Sequence, residues 1–202
     1  FEPLAAAIAQ YQLPVDLLDD LLTAFELDVQ HSANAYWYAN HQELMAYARY
    51  SANPVGRLLL HLYGVHDKVA QRESDAICTA LQLINFWQDV ALDWRKGRVY
   101  IPQDDLARFG VSEEQIAEGR ADFAFQRLMN HECDRAFHML KAGSPLGRTL
   151  KGRIGLELRM IILGGLFIIQ KLDACRYDVF NQRPQLGRKD WWVIVKRAVQ
   201  KK

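Results

Sequence analysis

Apolar side chains return every three or four residues along nearly the whole chain, and no stretch alternates apolar with polar positions as a half-buried strand would. The pattern predicts an all-α fold. A first helix runs from Val15 to about His31, after Pro14, with Leu18, Leu21, Leu22 and Phe25 on its apolar stripe. A second covers about His41 to Ala52 and is broken or kinked by Pro54. Val55, Leu58, Leu59 and Leu62 mark the next, which Gly64 can end in a left-handed cap. A long helix follows from about Arg72 to Trp94. RKGRVYIPQDDL reads as a loop, with Gly97 at a turn and Pro102 opening a short helix that Gly110 ends. Ser112 and Gln115 resemble a capping box. Further helices are expected over Asp122 to Ala142, Leu150 to Leu172 and Trp191 to Val199, the last capped by Asp190. No repeat and no linker divides the chain, so residues 1–202 read as one domain.

The helix ending at Trp94 departs from simple amphipathicity. Gln82, Asn85, Asp89 and Asp93 fall within an arc of about 80° on a helix of 3.6 residues per turn. Leu81, Leu83, Ile84, Phe86, Trp87, Val90, Ala91 and Leu92 cover most of the remaining circumference, so the element is mostly buried. Two carboxylates one turn apart repel by roughly 0.2–0.5 kcal/mol on an open helix and by more when desolvated, unless a cation lies between them. The stripe is therefore either a solvated face or the wall of a cleft that holds a cation. Amide and carboxylate oxygens suit Mg²⁺ with a phosphate-bearing substrate.

Composition narrows the function classes. The formal net charge of +1 argues against a nucleic-acid partner, which needs a concentrated basic face. Cys78, Cys133 and Cys175 show neither disulfide nor zinc spacing and fit a reducing cytoplasm. The six histidines form no HExxH pattern and read as surface or capped residues. No P-loop or GxGxxG glycine pattern occurs. The apolar run Met160 to Ile169 is well short of the ~20 residues needed to span a bilayer. Nothing in the pattern speaks to oligomeric state.

Two long segments, YARYSANPVGRLLLHLYG at 47–64 and LQLINFWQDVALDWRKGRVYIPQDDL at 81–106, resemble the squalene/phytoene synthase family. Those enzymes join prenyl diphosphates head to head. SANPVGR, the glycine-rich stretch Lys151 to Gly165 and RPQLGRKDW look most like the hopanoid-associated HpnC type, a hydroxysqualene synthase. The resemblance implies an isoprenoid-synthase-like helical bundle around an apolar cavity. It implies that Asn85, Asp89 and Asp93 hold Mg²⁺ against a diphosphate, with Gln82 lining the same site. Tyr47 matches a family tyrosine that handles diphosphate or carbocation. Arg98 and Tyr100 match a G-R-x-Y/F loop that reaches diphosphate oxygens. Arg57 is a further candidate for that anion, and Val55, Gly56, Gly164 and Gly165 either line a lipid tunnel or permit close helix packing.

One element is missing from the match. The family carries a first acidic motif, of DxxxD type, near its N-terminus, and Asp16, Asp19 and Asp20 lie instead in a segment resembling the later LLxAFxxD region. Either N-terminal helices lie upstream of Phe1 or catalysis has been lost, and the absence of an initiating methionine favours the former. The expected reaction is Mg²⁺-assisted ionisation of presqualene diphosphate with capture of water to give hydroxysqualene. The alternatives are presqualene diphosphate or squalene formation from farnesyl diphosphate, or a non-catalytic assembly factor. Trp191 and Trp192 followed by Lys196, Arg197, Lys201 and Lys202 suggest peripheral attachment to the inner face of a membrane.

Overall fold

The computed structural model describes residues 1–200, which form eleven helices and no strand. They are α1 (Glu2–Tyr11), α2 (Val15–Ala33), α3 (His41–Ser51), α4 (Asn53–Leu62), α5 (Lys68–Trp94), α6 (Gln103–Phe109), α7 (Glu113–Ala117), α8 (Phe123–Gly143), α9 (Leu146–Thr149), α10 (Gly152–Ala174) and α11 (Arg188–Val199). The sole backbone bridge outside the helices among the described residues joins Trp37 to Val99. No described helix is long and apolar enough to cross a membrane. Lys201 and Lys202 lie outside the described residues.

Helix α5 is the axis of the bundle. Ile77, Ala80, Leu83, Ile84, Trp87 and Val90 are buried along it, and it packs most extensively on α8, then on α4, with α10 and α3 closing the sides. Leu128, Met129, Cys133, Ala136 and Leu140 of α8 fill the facing stripe. Gly165 allows α10 to press into this seam, because a Cβ there would stand 2.8 Å from Leu81 Cδ2 and 2.9 Å from Leu140 Cδ2.

Local chemistry sets the helix ends, and three boundaries differ from expectation for identifiable reasons. α5 starts four residues early because Asp67 Oδ1 accepts from the Val69 and Ala70 N–H groups, at 2.8 and 3.0 Å. Ser112 accepts from the Gln115 N–H at 3.3 Å, but the Gln115 side chain turns to Asp122 Oδ1 at 2.7 Å, so half a capping box forms. Asp190 is not the cap of α11 but its third residue. It accepts from the Gly187 N–H at 2.6 Å and pairs with Lys171 at 2.9 Å. Gly64 and Gly110 adopt the left-handed conformation the sequence predicts for them, both at φ 70°. Helices α1 and α9 were not anticipated; both open with a proline in or just before the first turn.

Candidate functional site

The polar stripe of α5 meets partners from three other parts of the chain. At its N-terminal end Gln82 Nε2 donates to Ser51 Oγ of α3 at 2.8 Å. One turn on, Asn85 is exposed and donates from Nδ2 to Asp89 Oδ2 at 2.9 Å, which leaves its carbonyl oxygen free. Asp89 is gripped by Arg183, whose Nε lies 2.5 Å from Oδ1 and whose Nη2 lies 3.2 Å from Oδ2. The Gln88 amide donates to the Pro184 carbonyl, docking the 176–187 segment against α5. Asp93, at the far end, is half-buried and has Lys96 Nζ 3.8 Å away.

Beyond Asp93 the chain turns through Gly97 and returns, with the Arg98 N–H bonded to the Asp93 carbonyl at 2.9 Å. Arg98 Nε reaches Ser32 Oγ of α2 at 3.1 Å. Tyr100 stacks on Phe86 of α5, ring centroids 3.7 Å apart, and lies 6.4 Å from the Tyr47 ring. The Tyr47 hydroxyl donates to Asp28 Oδ1 at 2.7 Å, and the His31 and Tyr38 rings complete an aromatic wall around it. Asp28, His31, Tyr36, Arg98 and Tyr100 line a small open cleft with room for about one water molecule. A neighbouring cleft of similar size shares Arg98 and Tyr100 and reaches Asp93, Phe86 and Trp94. The site is thus a strip: carboxylates on α5, then a cationic loop, then a phenol-rich cavity.

Electrostatics differ along that strip. Burial pushes the Asp93 carboxyl above its usual range, Lys96 pulls it back, and the neighbouring Asp89 adds to the rise. Burial raises the Tyr47 phenol strongly, and its hydrogen bond to Asp28 reinforces this, so it remains a hydrogen-bond donor. Burial likewise raises the Tyr100 phenol, opposed by Arg98.

Not every candidate gathers here. Arg57 makes a two-pronged ion pair with Asp75, at 2.9 and 2.5 Å, so its guanidinium is committed to the α4–α5 contact and not to the stripe. A Cβ on Gly56 would collide with Ser74 Oγ and Cys78 Sγ, which makes this glycine a close-approach point between α4 and α5. Val55, the preceding residue, is exposed. Conversely, Asp28, Ser51 and Arg183 join the site without having been singled out. Asp28 lies in the LLTAFELD stretch and Arg183 opens RPQLGRKDW, both read as family wording and not as contacts.

The donor set suits a hard divalent cation. Asn85, Asp89 and Asp93 offer only oxygens in their metal-binding role, and Arg183 and Lys96 already bring positive charge to the same two carboxylates.

The squalene/phytoene synthase family model matches residues 1–190. The chain belongs to the squalene/phytoene synthase family. It is 35% identical over 160 residues to the hydroxysqualene synthase of Rhodopseudomonas palustris, covering 78% of this chain and 53% of that protein. It is also 35% identical over 168 residues to the hydroxysqualene synthase of Zymomonas mobilis, covering 81% and 54%. Phytoene synthase 1 of Arabidopsis thaliana is 27% identical over 191 residues, covering 92% of this chain and 44% of that protein. Among solved structures, squalene synthase HpnC from Alicyclobacillus acidocaldarius superposes with a TM-score of 0.80 at 35% identity, covering 86% of this chain and 65% of that one. A dehydrosqualene synthase with a TM-score of 0.79 and 19% identity shares the fold. The chain spans about half the length of the curated relatives it matches.

Proposed function

We propose that this chain supplies the second-acidic-motif half of a prenyl-diphosphate enzyme that converts presqualene diphosphate to hydroxysqualene. The observation that carries the reading is the continuity of the strip. Asp93, one turn beyond Asp89 on α5, shares a cleft with Arg98 and Tyr100, and the Tyr100 ring leads on to Tyr47. The 35% identity to hydroxysqualene synthases supports the choice of reaction.

Asn85, Asp89 and Asp93 would hold Mg²⁺, which when bound neutralises the diphosphate and so makes it a better leaving group. Arg98 would pair with diphosphate oxygens, and Arg183 would join it only on leaving Asp89. The C–O bond to the diphosphate breaks with both electrons leaving on oxygen. The cyclopropylcarbinyl cation rearranges against the Tyr47, Phe86 and Tyr100 rings, whose faces stabilise positive charge. A water oxygen then bonds to the cation and loses its proton. The test is incubation of the complete enzyme with presqualene diphosphate in ¹⁸O-labelled water without NADPH. Labelled hydroxysqualene is expected, whereas an unlabelled hydrocarbon or a strict need for NADPH overturns the assignment.

The description of the Alicyclobacillus neighbour as a squalene synthase favours a second reading, squalene or presqualene diphosphate formation from farnesyl diphosphate. Product analysis from farnesyl diphosphate separates the two. Peripheral membrane attachment through α11 is part of the same proposal. Trp191 and Trp192 are 46% and 78% exposed, and Lys196 and Arg197 follow in the last turn of the same helix. Sedimentation with anionic vesicles should fall when both tryptophans become alanine, and unchanged sedimentation removes the idea.

A further inference from the structure

Three of the four buried side-chain atoms that lack a hydrogen-bond partner among the described residues belong to one cluster, away from the α5 stripe. They are His41 Nδ1, His131 Nε2 and Glu132 Oε2. The cluster forms where α6 packs on α8, and the Gln103 and Asp104 N–H groups, bonded to the Tyr38 and Ala39 carbonyls at 2.9 and 3.1 Å, bring the start of α3 to the same place. Asp105 is nearly buried and Glu132 wholly so. Donor atoms of Asp105, His131 and Glu132 all lie within 4.8 Å of one another.

Arg135 explains only half of this arrangement. Its Nη1 holds Asp105 Oδ2 at 2.5 Å and Glu132 Oε1 at 3.2 Å. Of the other oxygens, Asp105 Oδ1 has only long contacts, 3.5 Å to Nη2 and 4.0 Å to Arg108 Nη1, and Glu132 Oε2 has no partner. His131 Nε2 stands 3.8 Å from that same Oδ1. Two carboxyl groups thus share one guanidinium in a place almost closed to water. Burying such groups without a partner is costly, the more so when they are charged. Their remaining lone pairs converge with an imidazole nitrogen.

We propose that Asp105, His131 and Glu132 form a binding site for one divalent transition-metal ion of the zinc type. The mixed imidazole and carboxylate set selects this class, because Mg²⁺ and Ca²⁺ take oxygen donors and a thiolate-free set disfavours Cu(I). The site shares no residue with the stripe and does not depend on the proposed reaction. His131, 27% exposed at its side chain, is the entry side.

The test uses the 202-residue chain stripped with chelator and then titrated with Zn²⁺ alone, or with Co²⁺ for its visible spectrum. One ion per chain is expected, with Tm raised by about 5 °C or more at ~100-fold excess over Kd. His131→Ala and Glu132→Gln should each weaken binding at least ~10-fold and alter the Co²⁺ spectrum, while Asp89→Asn with Asp93→Asn leaves this site intact. If Glu132→Gln fails to fold, the part-exposed His131→Ala, checked by circular dichroism, carries the test. Absence of stoichiometric binding, or binding indifferent to His131→Ala, overturns the proposal and assigns the unpartnered atoms to ordered water and a shared proton.

Discussion

Two groups of carboxylates in this chain meet arginine in different ways. On α5, Asp89 and Asp93 sit at the edge of a cleft, and Arg183, which pairs with Asp89, is itself 35% exposed. Between α6 and α8, Asp105 and Glu132 are 4% and 0% exposed at their side chains and are held by Arg135. The chemistry is nearly the same, yet water decides what each pair is for. At the cleft, solvent screens the ion pair and lets the partners exchange, which suits the proposed diphosphate-binding face. In the interior the guanidinium is part of the structure, because Arg135 is the near partner of both carboxyls and the next cation, Arg108, stands 4.0 Å from Asp105.

The sharpest way to break this contrast is Arg135→Ala. It strands two buried carboxyl groups and should destabilise the protein by about 3–5 kcal/mol in denaturant unfolding. A loss below ~1 kcal/mol would show that the buried pair does not need its cation. Next in size is Asp89→Asn or Asp93→Asn in the complete enzyme. Turnover should fall at least ~100-fold with the unfolding midpoint little changed, since an amide keeps the shape and removes the charge. Wild-type turnover would sink the metal assignment on α5.

A smaller effect separates the two groups by pH. Burial, reinforced by Asp105 and opposed by Arg135, pushes the Glu132 carboxyl from 4.5 up to about 8. The folded state therefore holds a proton that the unfolded state releases, so this stabilisation is complete below 4.5 and drains as pH rises through about 8. Between pH 7 and pH 9 the protein should lose about 1 kcal/mol, and Glu132→Gln should flatten that decline. The smallest expected change is Arg183→Ala. Removing a half-exposed partner should cost under ~1 kcal/mol of stability, measured by the same unfolding assay, against the much larger cost of losing Arg135.

The α5 stripe was legible in the sequence because one helix and its period suffice to align Gln82, Asn85, Asp89 and Asp93. The partners of that stripe were not. Arg183 lies 94 residues from Asp89, and Asp28 lies 19 residues before Tyr47 across a turn, so no periodicity links them. Arg57 shows the converse: a basic residue beside the site in sequence spends its charge on Asp75. The reading of the histidines as surface or capped residues fails at His41 and His131, whose unpartnered nitrogens are buried by the docking of α3, α6 and α8. Single-sequence reasoning assigns a histidine by its neighbours in the chain, and these two are defined by neighbours in space.

By itself, then, the sequence determined the all-α class, most helix ends through their caps and glycines, and the face of α5 that carries the carboxylates, because each of these depends on interactions within a few residues. Only the tertiary structure decided which carboxylates stay at a water-lined edge and which are sealed with one arginine between them. Burial and partner choice come from packing of segments far apart in the chain, and they set the dielectric surroundings that separate a binding face from a structural or metal-holding core.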